Sequence, residues 1–136
     1  MKIDAAAVFE FARHYTSAWC SQNPARVAEC FSPDGSLRVN DAAAAKGRNA
    51  IREVAQGFMV MFPDLELTMD DLNVDGGHTI YHWTLAGSNK GPGGTGKKLR
   101  ISGYEEWTIG ADGLIAQSLG HFDEEEFQRQ LKIGIE

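Results

Sequence analysis

From Lys98 to Ile109 the residues alternate in character. Ile101, Gly103, Glu105, Trp107 and Ile109 fall on one face, and Ser102, Tyr104, Glu106 and Thr108 on the other. The pattern predicts a strand whose apolar face carries a single carboxylate, Glu105. An acid set between a glycine and a tryptophan on such a face needs a pocket, a partner or a bend, because burying an uncompensated charge is expensive. Glu105 is therefore the first candidate for function.

The chain before this strand opens with helical periods. Asp4 is placed to cap a helix in which Val8, Phe11 or Ala12, Tyr15 and Trp19 recur at the spacing of a buried stripe. Asn23-Pro24 supplies a cap and a first-turn proline for a short second helix that carries Val27, Cys30 and Phe31 inward, and Ser32-Pro33-Asp34-Gly35 is expected to end it in a turn. Ser36 to Val39 reads as a short strand, and Ala42 to Ala45 shows no period. A third helix presents Ile51, Val54 or Ala55, Phe58 and Met61 or Phe62, until Pro63 stops it.

Beyond Pro63 the period changes to two. Leu65, Leu67 and Met69 share one face of a strand that runs through Val74 to the hairpin turn Asp75-Gly76-Gly77. Thr79 to Ala86 is the next strand, with Ile80, His82, Thr84 and Ala86 on one side and Thr79, Tyr81, Trp83 and Leu85 on the other. A glycine-rich loop, Gly87 to Gly96, leads into the Glu105 strand. Gly110-Ala111-Asp112-Gly113 turns into a last strand, Leu114 to Phe122, and Asp123 caps a terminal helical segment with Phe127 and Leu131 four residues apart. Helices first and hairpin-linked strands afterwards predict one α+β domain, residues 1–136, with helices covering one face of an antiparallel sheet.

Composition narrows the function. With 136 residues, 43% of them hydrophobic, the chain has material for one core and one small cavity. A net charge of -6 and no basic run longer than Lys97-Lys98 argue against nucleic acid as a partner. No stretch is long and apolar enough to span a bilayer, and the N-terminus lacks a signal-peptide core, so a cytoplasmic, membrane-free protein is expected. Cys20 and Cys30 read as small hydrophobes. The four histidines are scattered, so neither a metal nor another cofactor is expected. Gly91 to Lys97 has the glycine and lysine spacing of a phosphate loop, but Lys98 stands where Ser or Thr would hold magnesium, and a strand follows where the motif requires a helix.

With the elements placed, the chain resembles the SnoaL-like, polyketide cyclase-like group of the nuclear transport factor 2-like superfamily. The resemblance lies in Phe62-Pro63-Asp64-Leu65, His82 to Gly87, Gly103 with Glu105 and Trp107, and Gly120-His121-Phe122-Asp123 leading to Arg129-Gln130-Leu131. It implies a cone of helices wrapped by a strongly curved antiparallel sheet, commonly paired as a homodimer through the outer sheet face, here Tyr81, Trp83, Tyr104, Glu106, Thr108, Leu119 and His121. It also implies positions: Tyr15 matches a helix tyrosine that donates to an oxyanion in the ketosteroid isomerase, and Glu105 with Trp107 resembles the strand pattern of that enzyme's protonated acid. The isomerase's base falls near Val39, so Asp41 would reach the site with a shift of one or two residues. The hydrolase and cyclase branches carry an aspartate where this chain has Gly120.

The expected cavity joins Tyr15, His82, Glu105 and Asp41 as acid-base candidates to walls formed by Trp19, Phe58, Met61, Thr84, Trp107, Ser118 and Gly120. Two functions follow. One is a cofactor-independent acid-base enzyme, of isomerase, cyclase or lyase type, acting on a small apolar carbonyl or polyketide-like compound. The other is a noncatalytic domain of the same fold that binds a small apolar or aromatic molecule or dimerises.

Overall fold

Asp4 accepts a hydrogen bond from the Ala6 N–H at 3.0 Å and starts α1 (Ala5–Cys20). The stripe this helix buries is Val8, Ala12, Tyr15, Ala18 and Trp19. Asn23 caps α2 (Pro24–Ala28) in the same way, with proline at a position where a helix needs no N–H. A third helix, α3 (Arg48–Met61), buries Ile51, Ala55 and Met59, and ends where Phe62 turns extended ahead of Pro63. These coordinates are a computed structural model that describes residues 4–135.

Six strands form one sheet: β1 (Phe31–Val39), β2 (Ala45–Lys46), β3 (Glu66–Asp75), β4 (His78–Ser88), β5 (Lys98–Ile109) and β6 (Ile115–His121), in the order β2-β1-β6-β5-β4-β3. The helices pack on its inner face, and α4 (Glu124–Ile133), capped by Asp123, closes one end with Phe127. The α+β fold is the expected cone, with one difference. The β1 and β6 strands pair parallel, while every other pair is antiparallel. This pairing is long-range, and local hairpin signals do not report it.

Three local expectations change. Ser32 to Gly35 does not end a helix in a turn; it lies inside β1, where the register with β6 shifts between Phe31 and Ser36. Gly35 is required there, since a Cβ would stand 2.9 Å from the Ile115 carbonyl oxygen. The aperiodic alanine stretch supplies β2, pairing Ala45 with Leu37.

The third change matters most for the site. On β4 the inward residues are Thr79, Tyr81, Trp83 and Leu85, all buried, and His82 and Thr84 face outward. The β4–β5 register sets this, because Tyr81 pairs with Glu105 and Trp83 with Gly103, and directly paired residues share a face. Tyr81 and Trp83 therefore leave the expected outer surface for the core.

Among the described residues no helix is long and apolar enough to cross a membrane. The loop after β4 runs directly into β5, with the Asn89 N–H donating to the Lys97 carbonyl, so no helix N-terminus faces the glycines.

The face assignment of β4 predicts unequal costs for neighbouring substitutions. Tyr81→Ala should lose about 3–5 kcal/mol in denaturant unfolding, as large aromatic truncations in cores do. His82→Ala should stay within about 0.5 kcal/mol. Equal losses would mean that the register is wrong.

Candidate active site

Glu105 lies mid-strand in β5 with 8% of its surface exposed. Three donors reach it from three elements. The Tyr15 hydroxyl donates from α1 at 2.9 Å, the Trp107 indole from β5 at 3.0 Å, and the Ser118 hydroxyl from β6 at 2.8 Å. All three end on Oε1. The strand register explains two of them: Trp107 is the next inward residue on β5, and Ser118 pairs with it across to β6. Tyr15 arrives because the buried stripe of α1 lies over the same strands. Its ring sits edge-on to Trp107 at 5.0 Å and to Tyr81 at 5.4 Å.

The other oxygen, Oε2, accepts no hydrogen bond from the described residues. Sealed side-chain atoms without a partner are Trp19 Nε1, Thr79 Oγ1 and Trp83 Nε1. Oε2 is not among them, so it opens on the hollow that Glu105 lines.

Burial pushes the Glu105 carboxyl above its usual range, and the hydrogen bonds from Trp107, Ser118 and Tyr15 pull part of the way back. With Oε1 occupied by three donors, a proton on this acid resides on Oε2, facing the hollow. Tyr15 is raised well above the ordinary phenol by burial and then by the Glu105 charge, so it remains a donor. Tyr81 is raised too, chiefly by burial.

The hollow is small and open to solvent, with about 60 Å³ in which the centre of a water-sized sphere can move. Trp19, Val54 and Phe58 form its helical wall, and Phe127 of α4 stands at one end. Leu37 and Val39 of β1, Leu67 of β3, and Gly120 and Phe122 complete the sheet side. Trp83, Leu85 and Ile101 flank Glu105, which is the only titratable residue among those lining it.

Trp19, Phe58, Glu105 and Gly120 thus line the cavity as expected, while Trp107 and Ser118 support Glu105 from behind. Tyr15 does not reach the cavity wall. Its hydroxyl is directed at Glu105 Oε1 instead. Met61 is half-buried and away from the wall.

Three expected members are elsewhere. His82, turned outward by the register, bonds Asn73 at 2.9 Å. Thr84 meets Asp70 and Ser102 on the same outer face. Asp41 is exposed beyond the end of β1, 3.5 Å from Arg38, and borders a separate surface hollow with Asn40, His121 and Glu124. The turn after Val39 carries the chain outward, with Asn40 at φ 51, which is why no small shift brings Asp41 in.

Trp83 and Phe127 are wall residues that pattern reading overlooked. For Trp83 a signal existed: Tyr81, Trp83 and Leu85 are bulkier and more apolar than His82, Thr84 and Ala86, and the heavier set belongs inside. Gly120 keeps the wall beside the acid free of a side chain: a Cβ there would press on the Arg38 carbonyl oxygen at 3.3 Å and touch Glu105 Cγ at 3.8 Å. Among the described residues no three His, Cys, Asp or Glu side chains converge as a metal site requires.

A curved sheet around a helix-walled apolar hollow, with one buried acid, defines a cone-shaped cavity domain. The chain belongs to the SnoaL-like domain family, whose pattern matches residues 11–118. In structure it is similar to TsrD from Streptomyces laurentii, with a TM-score of 0.81 and 25% identity over 95% of this chain and 97% of that one. It is similar to a hypothetical protein with a ketosteroid isomerase-like fold from Catenulispora acidiphila, in complex with trimethylamine, with a TM-score of 0.80 and 17% identity over 90% of this chain and 92% of that one. It also matches a candidate SnoaL-like polyketide cyclase from Jannaschia, with a TM-score of 0.81 and 17% identity over 96% and 94% of the two chains. Among curated proteins none matches the chain in sequence.

Because the folded-state pKa of Glu105 is raised, its contribution to stability is complete below the ordinary glutamate pKa and is lost as pH rises through the shifted one. Asp64 and Asp112 are lowered by hydrogen bonds from the backbone, from Ser88 and Leu114 respectively, and act with the opposite sign only at lower pH. Urea unfolding followed upward from pH 4.5 should therefore show a decline in wild type that Glu105→Gln removes. Parallel curves would refute the raised pKa.

Proposed function

We propose that this protein is a cofactor-independent acid-base enzyme, of isomerase, cyclase or lyase type, acting on a small apolar carbonyl compound or polyketide-like ring. The observation that carries this reading is the asymmetry of Glu105: one oxygen is held by three donors and the other opens on an apolar cavity. Burial raises this carboxyl above its ordinary range, which makes its ionised form the stronger proton acceptor.

In its ionised form Oε2 removes a proton from the carbon next to a carbonyl, and the C–H electron pair moves onto the carbonyl oxygen as an enolate. The same Oε2–H then returns the proton to that carbon or to a conjugated one, which is an isomerisation. In a cyclisation the enolate carbon attacks a second carbonyl and the proton goes to the new alkoxide. Tyr15, Trp107 and Ser118 keep Oε1 fixed and so aim Oε2.

A noncatalytic binding domain is the second reading. It is favoured by the lack of any other titratable side chain among the residues lining the cavity, and the trimethylamine in the Catenulispora neighbour suits an acid walled by aromatic rings. Homodimerisation through the outer sheet face belongs to the proposal as well. Tyr104, 39% exposed, stacks on His121 there at 4.7 Å. Sedimentation should find a dimer in wild type and a shift to monomer in Tyr104→Asp; a wild-type monomer refutes it.

The enzymatic reading is tested by deuterium uptake. In heavy water the protein should accelerate exchange at the carbon next to the carbonyl of small ring ketones such as 1-tetralone, followed by NMR. Glu105→Gln should reduce the catalysed rate by at least about a hundredfold, the usual worth of a positioned acid-base group. Ketone binding without exchange would leave the binding domain as the function.

A further inference from the structure

The hollow beside Glu105 holds an acceptor that nothing in the protein answers. Oε1 is filled by Tyr15, Trp107 and Ser118, while Oε2 accepts no hydrogen bond from the described residues and is not sealed. No Lys, Arg or His lines the hollow, and among the described residues no salt bridge includes Glu105. The ionised acid therefore has hydrogen bonds on one side and no counter-ion on the other. That state is costly in an apolar setting, and a cation in the hollow offsets the cost.

The facing wall is largely aromatic. Trp19, Phe58, Phe127, Phe122 and Trp83 all line the hollow and follow one another as a chain of rings, with successive centroids 6.0, 6.4, 5.3 and 5.9 Å apart. Each ring is inclined to the next, by 74°, 75°, 53° and 69°, so the chain is a bent belt and not a flat stack. Ring faces carry partial negative charge, and inclined rings around a small space suit an organic cation. Both indole nitrogens are sealed, so the wall side chains add neither a donor nor a second acceptor beside Oε2.

We propose that this hollow binds the head group of a small tertiary alkylammonium ion, whose single N–H donates to Glu105 Oε2 while its alkyl groups lie against the belt of rings. This rests on the reading of the hollow as a small-molecule site and names its ligand class. The number of N–H groups decides among amines, because one free acceptor satisfies one donor. A primary ammonium brings three, and the two left over meet only hydrocarbon and rings. A quaternary ammonium keeps the attraction to the rings but gives Oε2 no hydrogen bond. The hollow is small and open to solvent, so it takes a compact head group and lets a longer substituent leave by the mouth. A ketone undergoing proton transfer uses the same Oε2, so the ion competes with it.

The test is calorimetric titration of the whole chain with four probes of similar size. They are N-methylpyrrolidinium with one N–H, its isomer cyclopentylammonium with three, N,N-dimethylpyrrolidinium with none, and uncharged cyclopentanol. N-methylpyrrolidinium should bind about tenfold more tightly than either other cation, the worth of one charge-assisted hydrogen bond or one unpaired donor, and cyclopentanol should be weaker still. A cation binds the ionised form of an acid whose pKa burial has raised, so its affinity should strengthen as pH rises from 4.5 through that pKa and then level off, with cyclopentanol unchanged. Tyr15 from α1 and Tyr81 from β4 are the other titratable groups facing Glu105; both are raised and stay neutral, while α3 and α4 bring only Val54, Phe58 and Phe127 to the hollow.

Glu105→Gln should weaken N-methylpyrrolidinium about a hundredfold and remove its pH dependence. Phe58→Leu, which leaves the donors to Glu105 in place, should weaken it about three- to fivefold with cyclopentanol unchanged. Equal or tighter binding of cyclopentylammonium or N,N-dimethylpyrrolidinium overturns the assignment to tertiary ammonium ions. If cyclopentanol or 1-tetralone binds and N-methylpyrrolidinium does not, the inference falls and the hollow remains a small-molecule site. If none of them binds, both fall.

Discussion

The convergence of three donors on one oxygen of Glu105 organises the interior. A buried carboxylate left alone would cost far more than a domain of this size can absorb, so its neighbours are constrained to be donors. They come from α1, β5 and β6, which means that the helix cannot slide over the sheet without breaking a hydrogen bond to a charged or chargeable group. Aromatic packing reinforces the same position. Tyr15 meets Trp107 and Tyr81 edge-on, and those two stack at 4.7 Å.

The arrangement divides the acid into two halves with different duties. Oε1 belongs to the fold and Oε2 to the cavity. Satisfying only one oxygen leaves the pKa shift unresolved by the protein itself, since burial raises it and the donors oppose it without cancelling it. A fully satisfied carboxylate would be a structural anchor and a fully unsatisfied one would be untenable. The half-satisfied state is the one in which a group can exchange protons with something placed in the cavity.

The wall follows the same economy. Gly120 and Gly103 both withhold side chains near Glu105, at Gly120 where a Cβ would touch Glu105 Cγ at 3.8 Å and at Gly103 where it would collide with the edge of the Trp83 ring at 2.7 Å. Phe127 of α4 reaches the hollow from the chain's last helix, touching Phe58, Phe62 and Phe122. The cavity is thus assembled from elements spread over most of the chain, and Glu105 is the one titratable side chain among the residues that line it.

The amino-acid sequence by itself determined the helices, the hairpin strands, the α+β class and the prominence of Glu105, because these rest on caps, periods and turns that act within a few residues. It also put Tyr15, Trp107 and Ser118 on the same interior face as the acid, as cavity residues, whereas the tertiary structure turns all three to donate to Glu105 Oε1. Only tertiary structure decided which side of β4 faces inward, because an alternating strand has two self-consistent faces and the choice belongs to its register with β5. That choice removed His82 and Thr84 from the cavity and brought Trp83 in. The parallel β1–β6 pairing and the outward turn at Asn40, which strands Asp41 on the surface, are likewise long-range outcomes. Local signals carry no information about partners some eighty residues away, such as the Asn40 side chain accepting from the Phe122 N–H, and there packing alone chooses.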